Sequence, residues 1–108
     1  MTPEISSEQY WKLYKTLPKP LQEALGSNET ADTLKYISDK YDIGNDTQII
    51  VDSNAAVLLG ILPPNELQGA LEKETEIDKE AIKKIVQEIN RLIFYPVRSY
   101  LKELYDLL

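Results

Sequence analysis

Helix start and stop signals recur at short intervals along the whole sequence. Side chains that cap helix N-termini precede apolar residues spaced three or four apart, and glycine or proline follows these runs. Ser6 or Ser7 can cap the first helix, with Gln9 completing a capping box after Ser6, and Thr2-Pro3 offers an earlier start. The pattern predicts a chain of short helices. The other candidate caps are Ser27 or Asn28, Asp46 and Asp78, and the candidate stops are Pro18, Gly26, Gly44 and Pro63.

The segment 46–62, DTQIIVDSNAAVLLGIL, is the one ambiguous stretch. Its β-branched residues Ile49-Ile50-Val51 favour a short strand, but the sequence offers no second strand to pair with it. We therefore predict a helix over 46–62, capped by Asp46, with Asp52-Ser53-Asn54 on its polar side. From Ala55 to Ile61 the helix is apolar all round, which is typical of an enclosed position. This helix is predicted to lie at the centre of the fold.

Residues 79–108 form one amphipathic helical pattern with Pro96 inside it. A straight helix of this length would measure about 45 Å, which is longer than a compact domain of this size is wide. Pro96 also lacks the N–H that would bond to the carbonyl of Leu92. We therefore predict a kink at Pro96 in the C-terminal helix. The predicted apolar arc consists of Ile82, Ile85, Val86, Ile89, Leu92, Ile93, Val97, Tyr100, Leu101, Leu104 and Leu108.

Aromatic residues occur at both ends of the chain, and each group allows two interpretations. A bend at Pro96 favours turning Phe94 and Tyr95 into the core; alternatively they form an exposed anchor for a partner, with Arg98 nearby. Of the two, Tyr95 suits a half-exposed rim because its hydroxyl can remain in water. Trp11 and Tyr14 belong to an aromatic stripe that either packs on the bundle or fits a partner groove. The candidate partner-binding residues are Trp11, Tyr14, Phe94, Tyr95 and Arg98.

The length and composition fit one globular domain. The chain has 108 residues, of which 43% are hydrophobic and 28% charged. A chain of this size is expected to bury roughly 60–65% of the surface that its unfolded form exposes. We predict an all-α fold, a compact single-domain bundle of six or seven short helices over residues 1–108.

The sequence contains neither cysteine nor histidine. This excludes disulfides, thiolate nucleophiles and imidazole acid–base chemistry. Segment 42–53 superficially resembles a calcium-binding loop, but Thr47 and Ser53 occupy the positions that require glycine and a bidentate glutamate. We therefore expect no catalytic, cofactor-binding or metal-binding residues, and a protein that is not an enzyme.

The net charge of −6 argues against direct binding to nucleic acid, which needs clustered lysine and arginine. The longest apolar run, AAVLLGIL over 55–62, is too short to cross a bilayer. The acidic N-terminal sequence lacks the apolar core of a signal peptide. We therefore expect no transmembrane segment and a cytoplasmic location.

Three stretches, LPKPLQEALGSNETADTL, AAVLLGILPPNEL and IDKEAIKKIVQEINRLIFYPVRSYL, resemble an uncharacterised family of small all-helical proteins of ultra-small candidate-phyla bacteria. The resemblance covers about residues 17–104, and the N-terminal helix over 1–16 lies outside it. It implies an all-helical domain and supplies no activity. It also implies that Asn90, Phe94, Pro96 and Arg98 form a unit, in which we expect Asn90 to hydrogen-bond carbonyls freed by the proline.

Two classes of function remain open at the level of sequence. The first is a non-catalytic protein-interaction or scaffold module that binds a protein partner or forms a homo-oligomer, which the missing catalytic side chains and the aromatics at both ends of the chain favour. The second is an acidic inhibitor, similar to an antitoxin, that binds a basic surface on a nucleic-acid-acting partner. Binding that weakens steeply with salt would favour the second class.

Overall fold

The computed structural model describes residues 6–106, and in that range the chain forms seven α-helices and no strand. Its radius of gyration of 13.1 Å agrees with the value of about 13 Å expected for a compact domain of this length. The predicted all-α bundle is confirmed; Thr2-Pro3 and Leu108 lie outside the described residues. The helices are α1 (Ser7–Thr16), α2 (Lys19–Gly26), α3 (Asn28–Tyr41), α4 (Thr47–Leu58), α5 (Leu67–Glu74), α6 (Lys79–Ile89) and α7 (Arg98–Asp106).

Three of the predicted helix caps are confirmed. The Ser6 hydroxyl accepts a hydrogen bond from the backbone N–H of Gln9 at 3.1 Å, and the Gln9 side chain accepts one from the Ser6 N–H at 3.3 Å. Ser27 accepts from two backbone N–H groups in the first turn of α3, and Asp78 accepts from one in α6. These bonds satisfy donors that have no partner within the helix itself.

The prediction that the Asp46 side chain caps α4 is wrong. Asp46 directly precedes the helix, but its carboxylate accepts a hydrogen bond from the backbone N–H of Glu76 at 3.3 Å. The backbone of Asp46 is itself helical, because a 3₁₀ turn over Gly44–Asp46 leads into α4, whereas a capping residue has an extended backbone. Asp46 therefore ties the α5–α6 connection to the start of α4.

Helix α4 forms the centre of the bundle, as predicted. Helices α2, α3 and α5 pack against it, and Ile50, Val57 and Leu58 are buried in the core. The strand alternative for this segment is wrong. Ser53 and Asn54, which were predicted to lie on a polar side, are buried as well, because neighbouring helices leave α4 little contact with solvent.

Helix α4 ends at Leu58, earlier than the predicted end at residue 62. Gly60 adopts a left-handed backbone with φ of +86°, which is accessible to glycine at little cost. The N–H of Gly60 bonds to the carbonyl of Val57, and the N–H of Ile61 bonds to that of Ala56. This is a Schellman motif, so the glycine ends the helix before the following prolines do.

The predicted kink at Pro96 is confirmed, and the helix changes type there. Helix α6 continues into a π-helical segment over Asn90–Phe94, then a 3₁₀ turn over Tyr95–Val97, and then α7. The backbone N–H of Tyr95 bonds to the carbonyl of Asn90, five residues earlier. The whole molecule extends 35 Å along its longest axis, which a straight helix over 79–108 would exceed.

The π-helical segment changes which side chains face the core. Phe94 is buried, whereas Leu92 and Tyr100, both predicted on the apolar arc, are exposed. A π-helical turn contains one more residue than an α-helical turn, so side chains in and after it point in different directions from those of a continuous α-helix. The predicted arc is therefore wrong at these two positions.

Tyr105 joins α7 to the end of α4. Its hydroxyl lies 2.6 Å from the carbonyl oxygens of both Val57 and Leu62, and it donates its single proton between them. We expect Tyr105→Phe to lower the free energy of unfolding by about 1–3 kcal/mol, because partly buried carbonyls lose their donor. Chemical denaturation measures this value. Tyr100→Phe is the matched control, and an equal loss in both variants would contradict the role of the hydroxyl.

Candidate protein-interaction surfaces

Helix α1 carries an aromatic cluster that is only partly covered. Tyr10 and Leu13 pack against the core, whereas Trp11 is 55% exposed and Tyr14 is half-buried. The ring centroids of Tyr10 and Trp11, and of Trp11 and Tyr14, are 5.3 Å apart in edge-to-face contacts. Burial, and then the proximity of Tyr14, raise the pKa of Tyr10. The predicted stripe is thus divided between the bundle and solvent, and we call Tyr10, Trp11 and Tyr14 the α1 aromatic face.

The end of α1 is fixed to α2. The Gln22 side-chain amide donates a 2.7 Å hydrogen bond to the carbonyl of Tyr14, and Leu17 is buried directly after the helix. No residue of α1 itself, over Ser7–Thr16, is buried. The C-terminal end of α1 is therefore fixed to α2, and the residues of α1 are at most partly covered.

A groove of about 370 Å³ lies beside the kink between α6 and α7, and we call it the α7 groove. Phe94 and Leu101 are buried beneath it, while Tyr95, Arg98 and Lys102 are exposed around it. Its volume falls within the range of about 300–1,000 Å³ that is usual for binding pockets. The lining residues are Pro64, Asn90, Phe94, Tyr95, Arg98, Leu101, Lys102, Tyr105 and Asp106.

Tyr95 and Arg98 form a fixed pair on the rim of the α7 groove. The guanidinium carbon of Arg98 lies 3.8 Å from the centre of the Tyr95 ring. Its Nη1 donates a 2.8 Å hydrogen bond to the Tyr95 carbonyl, across the 3₁₀ turn that contains Pro96. This cation–π contact and the hydrogen bond restrict the rotamers of two exposed side chains.

Two expectations about this kink need correction. Tyr95 is 59% exposed, which agrees with the half-exposed rim and contradicts the interpretation that turns it into the core, whereas Phe94 is buried as expected. The side chain that bonds to a backbone carbonyl at the kink is Arg98, and Asn90 forms no such bond within residues 6–106. Asn90 instead lies at the exposed edge of the α7 groove.

A second cleft, of about 500 Å³, lies on the other side of the kink segment 90–97. It is bordered by residues of α2, α3 and the kink, among them Glu23, Glu29, Leu92 and Pro96. The two depressions differ in charge, since Glu23 and Glu29 border this cleft, whereas two cations and the carboxylate of Asp106 border the α7 groove. The kink segment therefore separates an acidic cleft from a groove whose lining has a net charge of +1.

Charge is distributed unevenly along the chain. Residues 79–106 contain six basic and four acidic residues, a net charge of +2, whereas residues 6–78 contain six basic and thirteen acidic residues, a net charge of −7. Glu88, one of the four acidic residues, pairs with Lys40 of α3 at 3.0 Å. The basic excess of residues 79–106 thus lies in α6 and the kink, whereas α7 carries two basic and two acidic residues and no net charge.

Two features are absent from the part of the chain that the structure describes. Within residues 6–106 no group of three or more acidic side chains is arranged to hold a metal ion. None of the helices described is long and apolar enough to span a membrane. Burial raises the pKa of Tyr105 in the α7 groove, and its hydroxyl is held by backbone carbonyls.

The structure brings together three of the five predicted partner-binding residues. Phe94, Tyr95 and Arg98 line the α7 groove, whereas Trp11 and Tyr14 form part of the separate α1 aromatic face. Lys102 was not predicted to be part of a site, although its position four residues after Arg98 places both on one face of a helix. Pro64 and Tyr105 were also missed, because only the tertiary structure brings them to the groove.

The fold and its surfaces define a small all-α domain with two partly exposed aromatic surfaces. No family model, curated protein or solved structure matches the chain. The resemblance to helical proteins of candidate-phyla bacteria therefore stays a prediction.

Proposed function

We propose that this protein is a non-catalytic protein-interaction module and that the α7 groove is its main contact surface. The observation that carries the proposal is the exposed Tyr95–Arg98 pair, joined by a cation–π contact and a hydrogen bond beside a groove with a buried apolar floor. Tyrosine and arginine are enriched among residues that dominate binding energy at protein interfaces. Side chains already fixed in the free protein lose less entropy on binding.

A site-specific cross-linking experiment tests this proposal. We expect a photoreactive benzoylphenylalanine at position 95, expressed in the native cell, to form a covalent adduct with a partner protein. The same amino acid at Tyr36 is the matched control, because Tyr36 is also an exposed tyrosine and lies on α3, outside the groove. Adducts are detected as shifted bands on a denaturing gel and identified by mass spectrometry.

The position of the adduct decides between the surfaces. An adduct at position 95 and none at position 36 supports the α7 groove. Benzoylphenylalanine at position 11 tests the other surface. An adduct formed only from position 11 would indicate that the partner contacts the α1 aromatic face, and it would contradict the role of the groove. No adduct from any of these positions would contradict the interaction module itself.

A second candidate function is the acidic inhibitor, and the uneven charge distribution favours it. The net charge of −7 on residues 6–78 gives α1 to α5 a surface suited to a basic partner, including the carboxylates beside the second cleft. Exposed charges are screened over a Debye length of about 8 Å at physiological salt. A salt-sensitive complex that Tyr95→Ala leaves unchanged would support the inhibitor, and a complex that Tyr95→Ala weakens would support the α7 groove.

A further inference from the structure

We infer that the α7 groove binds an acidic segment of a partner protein, in which carboxylates lie next to a bulky apolar side chain. This inference rests on the proposed function and adds the chemistry of the ligand. The apolar side chain of the segment fits the apolar floor of the groove, and the carboxylates of the segment fit its cationic rim.

The floor of the groove selects an apolar side chain. Phe94 is only 4% exposed and Leu101 is equally buried, so both present the edge of the hydrophobic core at the bottom of the groove. A side chain that enters the groove removes further apolar surface from water, which is favourable by about 25 cal/mol per Å². The surrounding aromatic rings of Tyr95 and Tyr105 extend this apolar wall.

The rim of the groove selects carboxylates. Arg98 and Lys102 are both exposed and lie one helical turn apart, and no carboxylate within residues 6–106 forms an ion pair with either. Arg98 uses Nη1 to bond to the Tyr95 carbonyl, which leaves other guanidinium N–H groups able to bind a carboxylate. A partner segment that carries carboxylates next to an apolar side chain therefore forms ion pairs with these cations and covers the apolar floor.

The charges along α7 also set the direction of the partner. Asp106 lies at the other end of the groove from Arg98, about 12 Å away along the helix axis. Carboxylates of the partner would therefore lie near Arg98 and Lys102, at the end of the groove away from Asp106. Distant acidic residues of this protein oppose binding only weakly, because they are screened at physiological salt.

Selection from a random peptide library tests the inference. The 108-residue chain is immobilised, a displayed library of dodecapeptides is selected on it, and the binding of the enriched peptides is measured by fluorescence anisotropy. We expect enriched peptides to contain aspartate or glutamate next to leucine, phenylalanine or tryptophan. Lys102→Glu should weaken their binding by about tenfold or more, as expected for reversing one charge of a close pair.

Matched variants separate a local effect from a change in net charge. Lys35→Glu makes the same chemical change on an exposed position of α3, outside the groove, and is expected to change Kd by less than about twofold. Lys102 has no bonding partner in the described structure, so Lys102→Glu does not act through loss of a folded contact. Arg98→Glu is a second test, read together with its melting temperature because it also loses the bond to Tyr95.

Each outcome supports or overturns the inference. The inference is overturned if no peptides are enriched or if the enriched peptides lack carboxylates. It is also overturned if Lys102→Glu and Lys35→Glu change Kd equally. A doubled mass in light scattering that Lys102→Glu abolishes would also overturn it and identify a second copy as the occupant. A cross-link from position 95 to a partner without an acidic segment would leave the proposed function intact while the inference fails.

Discussion

Replacing Leu58 with alanine is expected to lower the free energy of unfolding by about 2–5 kcal/mol, the range found for buried leucines. Leu58 is fully buried in the last turn of α4, the helix at the centre of the bundle. The substitution removes apolar atoms from the core and leaves a cavity, because close-packed neighbours collapse only in part. Urea unfolding followed by circular dichroism measures the loss.

An exposed leucine provides the matched control for this prediction. Leu92 is 41% exposed, and Leu92→Ala is expected to change stability by about 0.5 kcal/mol or less, as surface substitutions usually do. The sequence assigned both leucines to the interior, whereas the structure assigns only Leu58 to it. A loss below about 1 kcal/mol for Leu58→Ala would place the end of α4 near the surface and contradict the central position of that helix.

Local signals in the sequence were sufficient to predict most of the helices. The caps at Ser6, Ser27 and Asp78 bond to backbone groups two or three residues away, so the residues that form them are visible in a short window. The kink at Pro96 was equally local, because the missing N–H belongs to the proline itself. These features depend on spacing along the chain and not on how the helices pack.

Features that depend on tertiary contacts could not be predicted in this way. Asp46 resembles an N-cap by sequence, but its carboxylate bonds to Glu76, thirty residues later. The Tyr105 hydroxyl bonds to carbonyls more than forty residues earlier, and no local pattern indicates that contact. The early end of α4 is a different case, because Gly60 is a local helix-stop signal. The apolar run over 55–62 nevertheless led to the prediction of a helix that continues past this glycine.

The candidate site was predicted in part for the same reasons. The aromatic residues at the kink were noticeable because proline interrupts an amphipathic pattern there, and this correctly indicated Phe94, Tyr95 and Arg98 as neighbours. A projection at 100° per residue places both Phe94 and Tyr95 off the apolar arc, which agrees with the exposure of Tyr95. The burial of Phe94 accompanies the π-helical segment, which has an additional residue per turn that this projection does not include. The groove itself requires Pro64 and Tyr105, which only the fold brings together.

Replacing Phe94 with alanine is expected to lower the free energy of unfolding by about 3–5 kcal/mol, as for other buried aromatic residues. Phe94 packs in the core at the end of the π-helical segment, between α6 and α7. Its removal opens a cavity where the chain changes direction. The measurement is again urea unfolding, with light scattering of the folded variant to show that its mass is unchanged.

The neighbouring Tyr95 allows the contribution of Phe94 to folding to be distinguished from a role in contact. Tyr95→Ala removes an exposed ring and its cation–π contact with Arg98, so we expect a loss of about 1 kcal/mol or less. The same variant should nevertheless weaken the binding of any partner at the α7 groove, because the rim loses its aromatic side chain and Arg98 loses its cation–π contact.

Comparable losses of stability from Phe94→Ala and Tyr95→Ala would contradict the division of the kink into a buried and an exposed side. Unchanged stability in the Phe94 variant would show that the π-helical segment does not direct this ring into the core, and the apolar floor of the groove would then lose its structural basis.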